Sequence, residues 1–402
     1  MKILIIRNIP NFMDVCHNTY NIQEVGLAKA LSRMGHECDI VFWTDGEERE
    51  VRLDNGQGAF ITVFYKKGKT ILKNCIYSFE ESFLKSYDIL QPCEYNQVQS
   101  VILAKKYPEK TVVYHGPYFD EFNKRYNLMC KLLDPIIIPT YKKMHTKFMA
   151  KSNLAKDFLV SKGISPDNIA MVGVGMDSEM LSSSKKHSES DILGNLAECE
   201  MCNSAFFDKI SQQKSGKKLL YIGRMEERRN VLFLLDVFSE YRKYAKDAVL
   251  YMIGTGDDEY CNRVRNKISE LGIGNSLVWE QKMEQKYLSN IYKLTDAFLL
   301  PTRYEIFGMV LLEAMYYGNI VFTTQNGGSN VLIDNDENGV IITDKDANVW
   351  AGRMHEVLEN KHLVATMAQK ASLTIRAGYT WDERARLFVE AYEGVGKEKC
   401  FF

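Results

Sequence analysis

The sequence predicts an α/β protein made of two doubly wound domains that face each other across a cleft. Three observations predict it. Short β-branched and apolar runs alternate with helical patterns from one end of the chain to the other. The runs do not alternate polar with apolar residues, which is the pattern of parallel strands buried on both faces. At 402 residues the chain is too long for one ordinary core.

In the first half, strands are expected at Lys2–Ile6, Cys38–Trp43, Thr111–Tyr114, Pro135–Ile138 and Ile169–Val172. Helices are expected at Gln23–Met34, Gln97–Lys106 and Leu154–Lys162. In the second half, the strands are Lys218–Ile222, Ala248–Ile253, Ser276–Trp279, Ala297–Leu300, Ile320–Thr323 and Gly339–Ile342, with helices Val231–Ala245, Asp257–Leu271 and Glu284–Leu294. Between Ser178 and Lys217 the alternation lapses into polar, low-complexity sequence that ends in the linker-like Gln212-Gln-Lys-Ser-Gly. The expected division is therefore a first domain over 1–178, a linker over 179–216 and a second domain over 217–380. Ligands of such sheets sit beyond the C-terminal ends of the strands.

The composition, 46% hydrophobic and 26% charged, is that of a soluble globular protein. A formal net charge of -1 excludes nucleic-acid binding through overall charge. The opening MKILIIRNIPNF reads as a first strand rather than a signal peptide, and no run approaches the roughly 20 apolar residues that span a bilayer. With nine cysteines, an odd number, the expectation is a cytoplasmic protein with reduced thiols. Cys199-Glu-Met-Cys202 is a lone pair without a second pair or a thioredoxin-like context, so it is assigned no metal or redox role.

The chemistry centres on Pro301 to Gly318, PTRYEIFGMVLLEAMYYG, where a short apolar strand turns into an apolar helix that starts near Phe307. Glu305 and Glu313 bracket that start at a separation of eight residues, which in a helix is roughly 12 Å along the axis and about 80° in direction. No Ser, Thr, Asp or Asn stands at the cap, and Gly308 lets another group approach the backbone. A free helix N-terminus after a strand suits an anion. Taken alone, the stretch reads equally as an ordinary β-turn-α unit with two solvated glutamates.

Gly223-Arg224 and Arg229 follow the strand Lys218–Ile222 and could clamp a pyrophosphate, or form a solvated basic loop beside Glu226 and Glu227. Gly254 and Gly256 follow the next strand and permit a tight turn and the approach of a flat ligand, with Asp257 as the expected helix cap. Gln325-Asn326-Gly327-Gly328-Ser329 reads as a further backbone-donating loop. In the first half, His115 ends a strand, where it either bonds a sugar hydroxyl or is satisfied structurally.

Together these motifs resemble the retaining glycosyltransferases of GT-B fold, the family-four type of the glycosyl transferases group 1. The resemblance rests on Tyr221-Ile-Gly-Arg224 with Arg229; Ile253-Gly-Thr-Gly-Asp257; Leu294-Thr-Asp296-Ala-Phe-Leu-Leu-Pro301; Glu305-Ile-Phe-Gly-Met-Val-Leu-Leu-Glu313; and Asn326-Gly327-Gly328. Order and spacing agree from about Lys218 to Asp344. The first half agrees more loosely, at Leu27-Ala-Lys-Ala-Leu31, His115 and Val174-Gly-Met-Asp177. Three features depart from the family. Arg229 stands where a Lys is usual, Asn18-Thr19-Tyr20-Asn21 replaces a Gly-Gly loop, and no Glu follows near Ser329-Asn330.

The resemblance implies two Rossmann-like domains, with a final helix over 381–402 returning to the first. It implies transfer of a sugar from a nucleoside diphosphate, UDP- or GDP-linked, to an acceptor hydroxyl with retention, in glycan biosynthesis. Arg224 and Arg229 would hold the diphosphate with backbone N–H groups around Phe307, Gly308, Met309 and Val310. Glu305 would bind the donor sugar, Glu313 the ribose, and His115 the sugar from the first domain. No cofactor and no metal are expected. Two alternatives share the fold: a sugar-nucleotide epimerase, and a module that binds sugar nucleotides without turnover.

Partners expected are the donor and an acceptor that is a glycan, a lipid-linked molecule or a small molecule, with no nucleic acid. Lys105, Lys106, Lys110, Lys124, Arg125, Lys131, Lys142, Lys143, Lys147, Lys151, Lys156 and Lys162 crowd the first half together with Tyr118, Phe119, Phe122, Tyr126, Leu128, Met129, Leu132 and Leu133. Such a surface either rests on anionic headgroups at the cytoplasmic face of a membrane or is a solvated face around a soluble acceptor site.

Overall fold

A computed structural model describes residues 1–16, 22–71, 73–177 and 204–394. The Cys199 and Cys202 pair, the Asn18 to Asn21 stretch and the last residues of the expected final helix lie outside the described residues. The chain divides into two compact units, Met1–Asp177 with Tyr379–Phe402, and Ser178–Gly378.

The first unit contains β1 (Lys2–Ile6), β2 (Glu37–Trp43), β3 (Arg49–Asp54), β4 (Phe60–Lys66), β5 (Gly68–Ile71), β6 (Asn74–Tyr77), β7 (Ile89–Pro92), β8 (Val112–His115), β9 (Lys147–Ala150) and β10 (Ile169–Met171). Its sheet runs in the order β3-β4-β2-β1-β7, and β8, β9 and β10 form a parallel set. Parallel bridges from Leu90 to Thr111 and from Cys93 to Tyr114 join the two. The central strand β1 pairs in parallel on both sides, which is why Ile3 to Ile6 are almost wholly buried. The edge strand β3 is the antiparallel member, and its exposed Arg49, Glu50, Arg52 and Asp54 guard the open edge. Strands β3, β4, β5, β6, β7 and β9 are not among those expected from the sequence; β3 and β4 carry the half-buried pattern of the sheet's rim.

Helix Trp381–Glu393 packs on helix Gln23–Arg33 within this unit. A Cβ at Gly26 would lie 2.3 Å from the Trp381 ring, so the helices touch because that position is bare. Arg33 donates to Asp382 at 2.9 and 2.6 Å, and the Tyr392 hydroxyl donates to Gln91 of β7.

One strand expectation is overturned. Pro135–Ile138 lies inside the helix Lys124–Lys143, which carries Pro135 and Pro139 in its interior. Proline interrupts the ladder, but Cys130, Ile137, Ile138 and Tyr141 fall on one buried face, and that packing outweighs the local signal.

The second unit is a single parallel sheet of β11 (Lys218–Ile222), β12 (Val249–Ile253), β13 (Leu277–Glu280), β14 (Ala297–Leu300), β15 (Ile320–Thr323) and β16 (Val340–Ile341), in the order β13-β12-β11-β14-β15-β16. The four residues of β14 and of β15 are all buried. The strand order reverses between β11 and β14, so the loops that follow these two strands part at a crevice where ligands of doubly wound sheets bind.

Candidate active site

The loops after β11 and β14 are tied edge to edge at that reversal. The Arg303 N–H donates to the Arg228 carbonyl at 2.8 Å, the Thr302 hydroxyl donates to the same carbonyl at 3.1 Å, and Arg228 returns a bond from Nη1 to the Tyr304 carbonyl at 3.0 Å. This lacing brings two of the expected site residues into contact: Arg229 Nη1 donates to Glu305 Oε2. Their side chains are 14% and 10% exposed. Burial by itself would lower the Arg229 pKa, but the Glu305 carboxylate, with smaller contributions from Tyr221 and Glu226, holds it above the ordinary value. Arg229 Nε is buried with no hydrogen-bond partner among the described residues. Arg224 stands apart. Its side chain is 74% exposed and its nearest ionic neighbour, Glu226, is 3.9 Å away.

Helix Met309–Tyr316 begins at Gly308, which has φ +79° and no side chain with which to cap it. The Leu311 N–H turns back to the Gly308 carbonyl at 2.9 Å, and the N–H groups of Met309 and Val310 have no backbone partner among the described residues. Phe307 is buried beneath this turn. The helix start therefore sits two residues later than the sequence suggests, and no side chain caps it.

Glu313 is not a solvated side chain. It is 4% exposed and accepts from Gln285 Nε2 at 3.0 Å and from the Tyr292 hydroxyl at 3.0 Å. Burial, and next the Glu313 charge, push the Tyr292 hydroxyl well above its usual pKa, so it remains a donor. Sequence reasoning missed Gln285 and Tyr292. A helical heptad links them, but nothing local indicates a carboxylate opposite.

The glycines of the rim serve the protein's own backbone. A Cβ at Gly254 would lie 1.8 Å from the Gly223 carbonyl oxygen, and one at Gly256 would lie 1.8 Å from that of Met225. These residues let the loop after β12 press on the loop after β11, where the sequence suggested room for a flat ligand. Asp257 caps the following helix, accepting from the Tyr260 N–H at 2.8 Å. The loop at Asn326 to Ser329 is likewise internally committed. The Gly327 N–H donates to the Glu305 carbonyl at 3.0 Å, and the Gly328 and Ser329 N–H groups each donate to Asn326 Oδ1 at 3.0 Å. It supports Glu305 instead of offering donors outward, which corrects the sequence expectation.

His115 belongs to the other unit, at the end of β8. Its Nδ1 lies 2.8 Å from Glu94 Oε2, and its ring meets Tyr95 edge-on at 5.1 Å and stacks on Phe158 at 5.7 Å. Glu94 also accepts from the Gly116 N–H at 3.1 Å and has Lys151 Nζ at 3.9 Å. Burial raises the Glu94 pKa, but the His115 contact, Lys151 and the Gly116 N–H together hold it below the ordinary carboxylate value. Nε2 of His115 is buried with no partner among the described residues.

Residues 203–374 match the family described as glycosyl transferases group 1. Among curated relatives, an uncharacterized glycosyltransferase of Methanocaldococcus jannaschii is 26% identical over 188 residues, 47% of this chain and 47% of its own length. A D-inositol 3-phosphate glycosyltransferase of Corynebacterium urealyticum is 25% identical over 186 residues, 45% of this chain and 44% of its own. The match thus spans about half the length of these relatives or less. Among solved structures, a glycosyltransferase from Rickettsia africae superposes with a TM-score of 0.71 at 18% identity, covering 99% of this chain and 100% of that one. The Anabaena protein HepE in complex with UDP superposes with a TM-score of 0.70 at 14% identity, covering 98% and 100%. The chain has the GT-B fold of these neighbours, and its residues 203–374 are similar to the glycosyl transferases group 1.

Proposed function

We propose that the protein transfers a sugar from a nucleoside diphosphate to an acceptor hydroxyl, with retention and without a metal. The observation that carries this reading is the meeting of Arg229, Glu305 and the uncapped start of helix Met309–Tyr316 at the strand-order reversal. In this reading the diphosphate sits on the open helix end and on Arg229, whose Nε makes no hydrogen bond among the described residues, and the exposed Arg224 closes over it from solvent. Glu305 holds donor-sugar hydroxyls while its pair with Arg229 fixes its rotamer. Glu313, already steadied by Gln285 and Tyr292, accepts from the ribose, since an ionised carboxylate offers about four acceptor sites. His115 presents Nε2 to the sugar.

The bond between the anomeric carbon and the diphosphate oxygen breaks, and its electron pair stays on that oxygen. Arg229 and the helix end stabilise the growing charge. The acceptor oxygen attacks from the same face, and its proton passes to the departing diphosphate. UDP is the preferred donor base, since a structural neighbour is a UDP complex. Acceptors in this reading are a glycan, a lipid-linked molecule or a small molecule. The test incubates the protein with a panel of UDP- and GDP-sugars, with and without acceptors, before and after chelation. Transfer that needs an acceptor and survives EDTA is expected. Isomerised donor without acceptor would mean an epimerase, and binding without turnover a non-catalytic module.

A further inference from the structure

The outward face of helix Lys124–Lys143 is built unlike a solvated one. Leu128, Leu132 and Ile136 are 58, 67 and 69% exposed. At a spacing of four they form one stripe along the helix. The other exposed residues are Lys124, Arg125, Lys131, Pro135, Pro139, Lys142 and Lys143, so the face holds five cations and no acid. The helix's one acid, Asp134, is turned away, accepting from the Tyr95 hydroxyl at 2.8 Å and pairing with Lys162 at 2.6 Å. The opposite face is already filled by Cys130, Ile137, Ile138 and Tyr141. Phe119, 70% exposed, stands just before the helix.

The structure also sorts the cations of this unit. Lys110 donates to the Leu84 and Tyr87 carbonyls, Lys147 to Asn168, Lys151 lies beside Glu94, and Lys162 is paired with Asp134. These are internal. The cations of the helix itself are the ones that flank the apolar stripe.

We infer that this helix face rests on an anionic lipid bilayer. The stripe enters the boundary between headgroups and acyl chains, and the cations meet the lipid phosphates. Charge selects the occupant: large aliphatics flanked along the helix by five cations complement a surface that is apolar below and negative above, with Glu121 the exposed acid just before the helix. A groove of about 690 Å³ beside the stripe is lined by Phe119, Leu128 and Pro135 and by the Asp134–Lys162 pair. Among the described residues no helix is long and apolar enough to cross a membrane, so the contact is peripheral. It does not depend on the reaction proposed above.

The test is co-sedimentation of the full chain with phosphatidylcholine vesicles, with or without phosphatidylglycerol. Binding is expected with phosphatidylglycerol at about 50 mM salt and should weaken at least about tenfold at about 500 mM, where screening shortens the reach of the cations. It should also fall at least about tenfold in each of two variants, Leu128→Ser with Leu132→Ser and Ile136→Ser, and Lys124→Glu with Lys131→Glu and Lys143→Glu. Thermal melting and UDP binding of both variants should stay as in the parent, since all six side chains are exposed. Absence of binding to the anionic vesicles at low salt overturns the inference, as does equal binding by both variants. Concentration-dependent self-association that the serine variant loses, without vesicle binding, would assign the stripe to a second copy of the chain and overturn it as well.

Discussion

His115 presents Nδ1 to the Glu94 carboxylate at 2.8 Å, and its Nε2 is buried without a partner. An ionised carboxylate only accepts, so Nδ1 carries a proton, and Nε2 is turned away from Glu94. Glu94→Leu is expected to lose this selection, because no acceptor then faces Nδ1. Nitrogen chemical shifts of the ring would read the change. An unaltered tautomer in the variant would show that Glu94 does not set it.

The same carboxylate makes stability depend on pH. Its folded pKa lies below the ordinary value, so the native state holds fewer protons there than the unfolded chain. This contribution is fully present above the unfolded value of about 4.3 and is lost as pH falls through the lower folded value. The parent's advantage over Glu94→Gln in denaturant melts should therefore be constant near neutrality and shrink towards about pH 3. An advantage that grows on acidification would contradict the assignment.

Arg229 and Glu305 should behave as a coupled pair. Arg229→Ala strands a nearly buried carboxylate and is expected to destabilise by about 3–5 kcal/mol, with much of the loss recovered when Glu305→Gln is added. Arg224→Ala, at an exposed site, should leave the melt unchanged and weaken UDP binding by roughly 1.5–3 kcal/mol. Calorimetry and urea melts separate the two arginines. Additive effects of Arg229→Ala and Glu305→Gln would refute the coupling.

Tyr292→Phe removes a donor to Glu313 and leaves its cavity filled. A loss of about 1–3 kcal/mol in stability is expected, together with weaker UDP binding, if Glu313 is the ribose contact. Unchanged nucleotide affinity in a destabilised variant would leave Glu313 a structural residue only.

The rim glycines should divide by what surrounds them. A Cβ at Gly328 would lie 1.6 Å from the Phe307 carbonyl oxygen, so Gly328→Ala must displace the loop that supports Glu305 and should impair both folding and UDP binding. Gly352, inside helix Ala347–Glu359, has only the Tyr244 hydroxyl at 3.9 Å, and Gly352→Ala should stabilise by about 0.5–1 kcal/mol. Paired thermal melts test both.

The sequence by itself determined what short-range physics controls. Strands buried on both faces are apolar from end to end, so Lys2–Ile6, Lys218–Ile222, Ala297–Leu300 and Ile320–Thr323 are bounded in the structure as read from the chain. Turn glycines and caps such as Asp257 are local too, and the spacing of Glu305 and Glu313 already places both at one helix start. The tertiary structure decided the rest. Whether Pro135–Ile138 is strand or helix depends on the surface against which Ile137 and Tyr141 pack, which local propensity does not contain. Arg229 meets Glu305 across 76 residues because β11 and β14 are neighbours in the sheet. Glu94 meets His115 because β7 lies beside β8, and Glu313 meets Tyr292 because their helices pack. In each case both partners are visible in the chain, but only strand order and helix packing bring them within hydrogen-bond reach.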